Sequence, residues 1–177
     1  QGIGAQTYPE WFTHSNFGGR FSSMLKYAGW DGIVIEGRAD RPVWLDIQND
    51  AVAIRDAASL WGLDTWETQR RIWNMVTGMD DFTEWFEVGD DGSRTTQRPA
   101  VLCIGPAGEA LCRTACLIHD AGNGAGQGGF GAVWGAKNLK AVSVIGTGGV
   151  AVADPAALFA ARLWAQRTYG NDLNHPE

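Results

Sequence analysis

Ten glycines lie between Ala121 and Ala153, in a stretch with no Asp or Glu whose only charges are Lys137 and Lys140. A backbone this bare can approach a ligand closely, and its amides can be turned toward an anion. With no carboxylate to repel it, a phosphate-bearing ligand is favoured. Such a loop exposes N–H and C=O groups together, so it suits a rigid phosphorylated heterocycle held through main-chain contacts.

Two familiar phosphate mechanisms do not fit. Gly126-Gln127-Gly128-Gly129-Phe130-Gly131 satisfies G-x-G-x-x-G as letters. A dinucleotide fold also wants a carboxylate about 20 residues on for the ribose hydroxyls. None occurs before Asp154, and no long helix follows the glycines. A P-loop needs lysine and a hydroxyl directly after its last glycine. Here Gly135 is followed by Ala136, Lys137 and Asn138, so the lysine is displaced and no hydroxyl is present to hold magnesium.

The remaining polar candidates are weaker. His14, Ser15 and Asn16 stand near Asp31 in sequence, but a hydrolytic triad is defined by geometry, not by nearness along the chain. His119-Asp120 reads as a satisfied structural histidine at a strand end rather than a catalytic pair. His175 lies in the tail and carries no claim. Cys103, Cys112 and Cys116 are an odd set with no disulfide spacing, which points to a reducing compartment and a cytoplasmic protein. Two thiols at i, i+4 are too few for a metal site, so the three read as small buried apolar residues.

The elements that must position these residues belong to a globular chain of 177 residues, 45% hydrophobic and 19% charged. That is enough for one domain with a real core or two small ones. The formal charge of -6 excludes a general nucleic-acid binder. No apolar run approaches the roughly 18 residues of a membrane helix, and no partner membrane is expected. The chain opens on Gln1 inside a glycine-rich phrase and ends without punctuation, so it reads as a piece of a longer protein. Nine tryptophans, from Trp11 to Trp164, are spread through every segment and read as core and interface anchors.

Asn16–Arg20 reads as a turn, followed by a short helix through Met24, Leu25, Tyr27 and Ala28 that Gly29 stops. Gly32–Gly37 reads as a buried strand. Pro42–Gln48 and Ala51–Arg55 read as two strands joined at Asn49-Asp50. Asp64 caps a helix with Glu67 completing a capping box, an apolar stripe of Trp66, Ile72, Trp73 and Val76, and Gly78 at its end. Met79–Arg98 carries Asp80, Asp81, Glu84, Glu87, Asp90 and Asp91 around Trp85 and Phe86, and reads as a solvated acidic excursion with a turn at Asp91-Gly92. Further strands are expected at Ala100–Ile104, Arg113–Ile118 and Leu139–Ile145, a short helix at Gly131–Gly135, and a helix begun by Asp154-Pro155. The sum is an α+β fold: a β-rich platform of antiparallel or mixed sheets with a few short helices.

Four phrases in register resemble one family. NFGGRF with MLKYAGWDGIVIEGRADRPVWL, then IRDAASLWGLDTWET, then CIGPAGEAL, then AGQGGFGAVWGAKNLKAVSVIGT, are similar to the tungsten-containing aldehyde:ferredoxin oxidoreductases over nearly the whole chain. The resemblance implies that residues 1–150 make the bulk of an N-terminal β-rich platform and that 151–177 open a helical domain, and that the platform carries two pyranopterin dithiolenes clamping one tungsten, or molybdenum. It implies a Mg²⁺ ion between the pterin phosphates, held partly by two backbone carbonyls, which here are those of Asn16 and Gly124. Gly18 is a further pterin contact. The family's R-A-x-G-R-G-G is here Asn123-Gly124-Ala125-Gly126-Gln127-Gly128-Gly129, so two arginines become Asn123 and Gln127. Amides at Asn123, Gly124, Gly126 and Gln127 can still reach the pterin, but a charge-assisted phosphate clamp is lost. Magnesium offsets part of that loss, since it takes phosphate oxygens and few protein ligands.

The same resemblance places the cysteine ligands of a [4Fe-4S] cluster and the acid/base residues outside this segment. Cys103, Cys112 and Cys116 do not match the cluster positions. In the whole protein an aldehyde substrate becomes a carboxylic acid, with electrons leaving through the cluster to ferredoxin or an iron–sulfur subunit, in an oligomer of anaerobic metabolism. The acidic Met79–Arg98 insertion is longer than the family pattern and offers a lineage-specific contact to an electron-transfer partner. Two alternatives stand: an aryl-CoA reductase on the same platform, and a non-enzymatic module that holds a phosphate ligand or a partner subunit.

Overall fold

The computed structural model describes residues 2–5, 12–79, 84–120 and 122–170. The readings of Trp11, Asp80, Asp81 and His175 lie outside those residues, as does Ala121. In chain order the elements are β1 (Gly2–Ile3), β2 (Phe12–Thr13), α1 (Phe21–Tyr27), β3 (Val43–Gln48), β4 (Ala51–Asp56), α2 (Thr65–Thr77), β5 (Phe86–Val88) and β6 (Ser93–Thr95). There follow β7 (Ala100–Cys103), α3 (Pro106–Glu109), β8 (Leu117–His119), β9 (Asn123–Ala125), α4 (Phe130–Ala136), β10 (Leu139–Ile145) and α5 (Pro155–Tyr169).

A six-stranded sheet in the order β4-β3-β10-β7-β8-β9 carries the structure. Its one parallel pairing is β10 on β3; the other neighbours run antiparallel. The expected α+β class with mixed sheets is therefore what the chain forms. The β3–β4 hairpin follows its reading, with Asn49 in the left-handed region at φ 53°. The backbone N–H of Asn49 donates to Ile145 O (2.9 Å) and its side-chain oxygen accepts from Thr147 N (2.9 Å), so this turn is tied to the far end of β10.

All seven residues of β10 are buried, as a strand covered on both faces must be. A bulge between Leu139 and Ala141 resets its alternation. Val142 and Val144 join one core with Phe21, Met24, Leu25, Phe130 and Trp134. Ala141 joins the other with Trp44, Val101 and Cys103 under Leu60 and Ile72. Lys140 is fully buried: its Nζ donates to Leu63 O (2.8 Å) and pairs with Glu109, whose two oxygens also accept from Gly62 N at 3.0 and 2.9 Å.

Helix α2 begins where its box says: Asp64 Oδ1 accepts from Glu67 N (2.8 Å), and Gly78 ends it at φ 70°. Of its expected stripe, Ile72, Trp73 and Val76 face the core and Trp66 does not. Trp66 is 61% exposed, and Thr68, Gln69 and Ile72 are what it buries. Gly32–Gly37 forms no strand among the described residues; Ile33 and Ile35 pack on the core while Val34 is exposed. The strand expected from Arg113 shrinks to Leu117–His119, and the acidic excursion is the β5–β6 hairpin. Helix α5 is capped by Asp154, whose Oδ1 accepts from Ala157 N (2.9 Å), and none of its residues is buried.

The tryptophans and cysteines divide. Trp44 and Trp134 are buried anchors, whereas Trp30, Trp85 and Trp164 are exposed. Cys103 is the small buried residue expected, and burial pushes its thiol up to about 12. Cys112 is exposed and Cys116 half-buried, so that reading fails for both.

Replacing Glu109 by Gln should leave the Lys140 ammonium buried without a counter-charge, a loss of about 3–5 kcal/mol. Urea unfolding of this variant beside a Glu109→Gln/Lys140→Met double variant checks it, since removing the ammonium as well should restore much of the loss.

Candidate functional site

The glycine run splits into two materials. Gly122, Gly124 and Gly126 are exposed, while Gly128, Gly129, Gly131 and Gly135 are buried. The buried members serve packing. A Cβ on Gly131 would sit 2.8 Å from Ala115 and Cys116 backbone atoms, and one on Gly108 would sit 2.9 Å from Gly131 O, so α3 and α4 meet backbone to backbone. The segment 123–125, expected as open loop, is strand β9, paired with β8.

The turn at 16–20 lies against the end of the β8–β9 hairpin. A Cβ on Gly18 would stand 2.8 Å from Asn123 Oδ1, and one on Gly19 would stand 2.5 Å from His119 Cδ2 and 3.0 Å from Asn123 Nδ2. Gly19 has φ +87°, so glycine is required there twice over, by conformation and by space. Ser15 and Phe17, which flank Asn16, and Ala125, which follows Gly124, line one cavity of about 640 Å³ with Phe21, Leu117 and Phe130. The surroundings of Asn16 and Gly124 thus border the same space. Asn16, Gly18, Gly124, Gly126 and Gln127 are all exposed, and Asn123 is half-buried. Gly126 O accepts from Cys116 Sγ at 3.8 Å.

What locks the two turns together is a cluster that the sequence reading passed over. His119 is fully buried. Its Nδ1 lies 2.8 Å from Val101 O, and its Nε2 accepts from the backbone N–H of Arg20 (3.2 Å). A carbonyl partner can only accept, so Nδ1 carries the hydrogen and the ring is neutral. Burial holds its pKa below the ordinary 6.5, outweighing the carbonyl of Val101 and the carboxylate of Asp120. The Arg20 guanidinium bonds both oxygens of Asp120 (3.1 and 3.3 Å) and the carbonyls of Arg98 and Pro99, the latter at 2.9 Å. Gln69 Nε2 on α2 donates to Asp120 O (3.3 Å). The rings of Phe17 and Phe21 meet the imidazole edge-on, with centroids 6.1 and 5.8 Å away. His119 is therefore structural, as read. Arg20 was legible only as a basic residue closing the NFGGR turn.

A site of exposed glycine backbone and amide side chains, on a sheet that supplies rigidity, is built to hold a large ligand through main-chain groups. Among the described residues no group of three or more His, Cys, Asp or Glu could ligate a metal, so a metal held here takes its ligands from something other than protein thiolates and carboxylates.

Residues 6–146 match the family described as aldehyde ferredoxin oxidoreductase, N-terminal domain. The chain belongs to this oxidoreductase family. It is 40% identical over 142 residues to the tungsten-containing aldehyde ferredoxin oxidoreductase of Pyrococcus furiosus, covering 80% of this chain and 20% of that protein. The Pyrococcus abyssi protein of the same name is 43% identical over 140 residues, 79% of this chain and 20% of the relative. The aliphatic sulfonate oxidoreductase WOR-like subunit of Pyrococcus furiosus is 40% identical over 124 residues, 70% of this chain and 19% of that subunit. Among solved structures, the BamBC active-site complex of benzoyl coenzyme A reductase with 1,5-dienoyl-CoA superposes with a TM-score of 0.70 at 35% identity, covering 86% of this chain and 21% of that one. The chain spans about a fifth of the length of these relatives.

The residues present fit a tungsten-pterin group. Gly18, Gly124 and Gly126 leave exposed backbone beside the cavity that Ser15, Phe17 and Ala125 line, backbone carbonyls are the hard oxygen donors magnesium takes, and of the carboxylates nearby Asp120 is paired with Arg20 while Glu36 stands in the cavity wall.

Gly19→Ala should destabilise the protein by at least about 2 kcal/mol, through a positive φ and a clash with a rigid buried ring. Gly37→Ala, with φ +69° but nothing within 4 Å, should lose only about 1 kcal/mol. Chemical denaturation of both variants separates the two costs.

Proposed function

We propose that this chain is the cofactor platform of a tungsten-pterin oxidoreductase, with residues 1–150 forming the bulk of the pterin-binding domain and 151–177 opening the helical domain that follows. The observation that carries the reading is the contact of Gly18 and Gly19 with Asn123 and His119, two side-chain-poor turns a hundred residues apart meeting on one exposed face. Membership of a family whose relatives are named tungsten-containing supports a tungsten cofactor as that ligand.

In this reading the carbonyls of Asn16 and Gly124 hold Mg²⁺ between the pterin phosphates. Gly18, Asn123, Gly124, Gly126 and Gln127 contact the pterins. The group, when bound, supplies two-electron redox chemistry at tungsten or molybdenum for aldehyde oxidation to a carboxylic acid. The chain's own share is placement. The sheet fixes the β8–β9 hairpin, His119 fixes the 16–20 turn to it, and the packed glycines of α4 keep the loop after Gly126 from shifting. Asn123 and Gln127 are neutral, so amide dipoles and the magnesium ion carry the charge compensation. The [4Fe-4S] cluster, the acid/base residues and the docking of ferredoxin or an iron–sulfur subunit in a cytoplasmic oligomer belong to the remaining length of the protein.

A second reading keeps the platform and changes the substrate to an aryl-CoA ester. The superposition on BamBC favours it. Parallel assays with benzaldehyde and benzoyl-CoA on the full-length protein separate the two substrates.

Tungsten or molybdenum and phosphorus should co-purify with the full-length protein. Gly126→Val should keep its unfolding midpoint within about 0.5 kcal/mol, because an added Cβ meets nothing within 4 Å, yet should retain much less metal. Aldehyde oxidation by a preparation free of both metals would refute the assignment.

A further inference from the structure

The imidazole of His119 has two oxygen- and nitrogen-bearing neighbours at nearly equal range from one atom. Nε2 lies 3.2 Å from the Arg20 backbone nitrogen and 3.1 Å from Asp120 Oδ2. In the neutral ring only the first is a hydrogen bond, because Nε2 then carries a lone pair and Asp120 offers only lone pairs in return. Once Nε2 carries a proton the preference reverses. Its N–H faces the N–H of Arg20, donor against donor, and it has a charge-assisted acceptor at Asp120 already within bonding distance.

We propose that His119 is a positioning residue for the cofactor face: its neutral ring clasps the 16–20 turn through the Arg20 amide, and protonation hands Nε2 over to Asp120 and lets that turn go. The proposal rests on the reading of this face as the pterin platform. The step balances simply. One proton from water arrives at Nε2, the Nε2–H···Oδ2 bond forms, and the Arg20 N–H···Nε2 bond breaks. The side chain of Asp120 is 24% exposed while that of His119 is fully buried, so the carboxylate is the path by which the proton enters.

The groups that face the ring are few. Arg20 and Asp120 are the charged ones; β7 contributes the carbonyl of Val101, and the 16–20 turn and α1 contribute the rings of Phe17 and Phe21. Gln69 reaches Asp120 only through its backbone oxygen. Nδ1 stays bonded to Val101 in both states, so the ring does not leave its place and only the Nε2 partner changes. Arg20 shares Asp120 with the incoming proton, which loosens its grip on the same turn from a second direction.

The sign follows from burial. The ring's pKa lies below 6.5 in the folded protein, so it binds fewer protons than the unfolded chain. The clasp is complete above pH 6.5, and both it and the stability it contributes decline as pH falls below that value.

Two measurements test this. In ¹⁵N-histidine-labelled protein, His119 should show the Nδ1–H tautomer at about pH 7.5 and titrate below 6.5. Over the same range the protection factor of the Arg20 amide against hydrogen exchange should fall about fivefold to tenfold, the weight of one hydrogen bond. Asp120→Asn removes the negative charge from the competing acceptor and should move both transitions to lower pH. In the full-length protein, tungsten and phosphorus retained through gel filtration should follow the same pH profile, and the Asp120→Asn profile should shift with it. An Arg20 amide whose protection does not change while His119 titrates would overturn the proposal. So would an unchanged metal content across the transition, and in that case the cofactor assignment itself would stand. A full-length protein that binds neither tungsten nor molybdenum at any pH would instead overturn the platform reading, and the role of His119 toward a cofactor with it.

Discussion

A backbone amide resting on a ring nitrogen, with an ion pair beside it, joins the two halves of the proposed site. Arg20 and His119 are 99 residues apart, and nothing in their local sequences draws them together. The bond is possible because His119 is at the end of β8, held by the sheet, and because glycine at position 19 leaves room for the ring edge. Remove that room and the turn cannot close on the hairpin. Keep it, and the exposed glycine backbone on both sides arrives in place without a side chain of its own to position it.

The glycines do two jobs that composition alone does not separate. Gly122, Gly124 and Gly126 face outward at the hairpin end, where absence of bulk serves a ligand. Gly131 and Gly135 are sunk against α3, where absence of bulk serves close helix approach. The second job supports the first. A loop with so much conformational freedom would wander, and burying its far end against Arg113, Ala115 and Cys116 pins it. This is the division expected of a preorganised site, with a rigid foundation beneath a bare surface.

Local signals were readable where local physics decides. The capping box at Asp64, the Asp154-Pro155 start and the Asn49 hairpin all stand where residue chemistry puts them, since each is settled within four residues of chain. Failures came where long-range partners decide. Ile33 and Ile35 look like a strand, but they pack their side chains on the core without joining a ladder. Trp66 looks like part of a stripe, but only Ile72, Trp73 and Val76 of that stripe reach the sheet beneath α2. The face as a whole was reached through four phrases in register, not through any one motif. His119-Asp120 was legible as a pair, but its tie to Arg20, 99 residues away, was not, because only the fold brings that residue beside it.

The parallel pairing of β10 on β3 has a consequence for how the chain is made. Ribosomes release residues in order, at about 5–20 per second, so β3 emerges several seconds before the strand that will sit beside it. Throughout that interval the β3–β4 hairpin presents an apolar flank, including Val43, Leu45 and Ile47, that has no permanent neighbour. The nascent chain is thus most vulnerable to mispairing between the release of β4 and the release of β10, and chaperone dependence should concentrate in that window. Completion of Ile145 ends it, before any of α5 has been added.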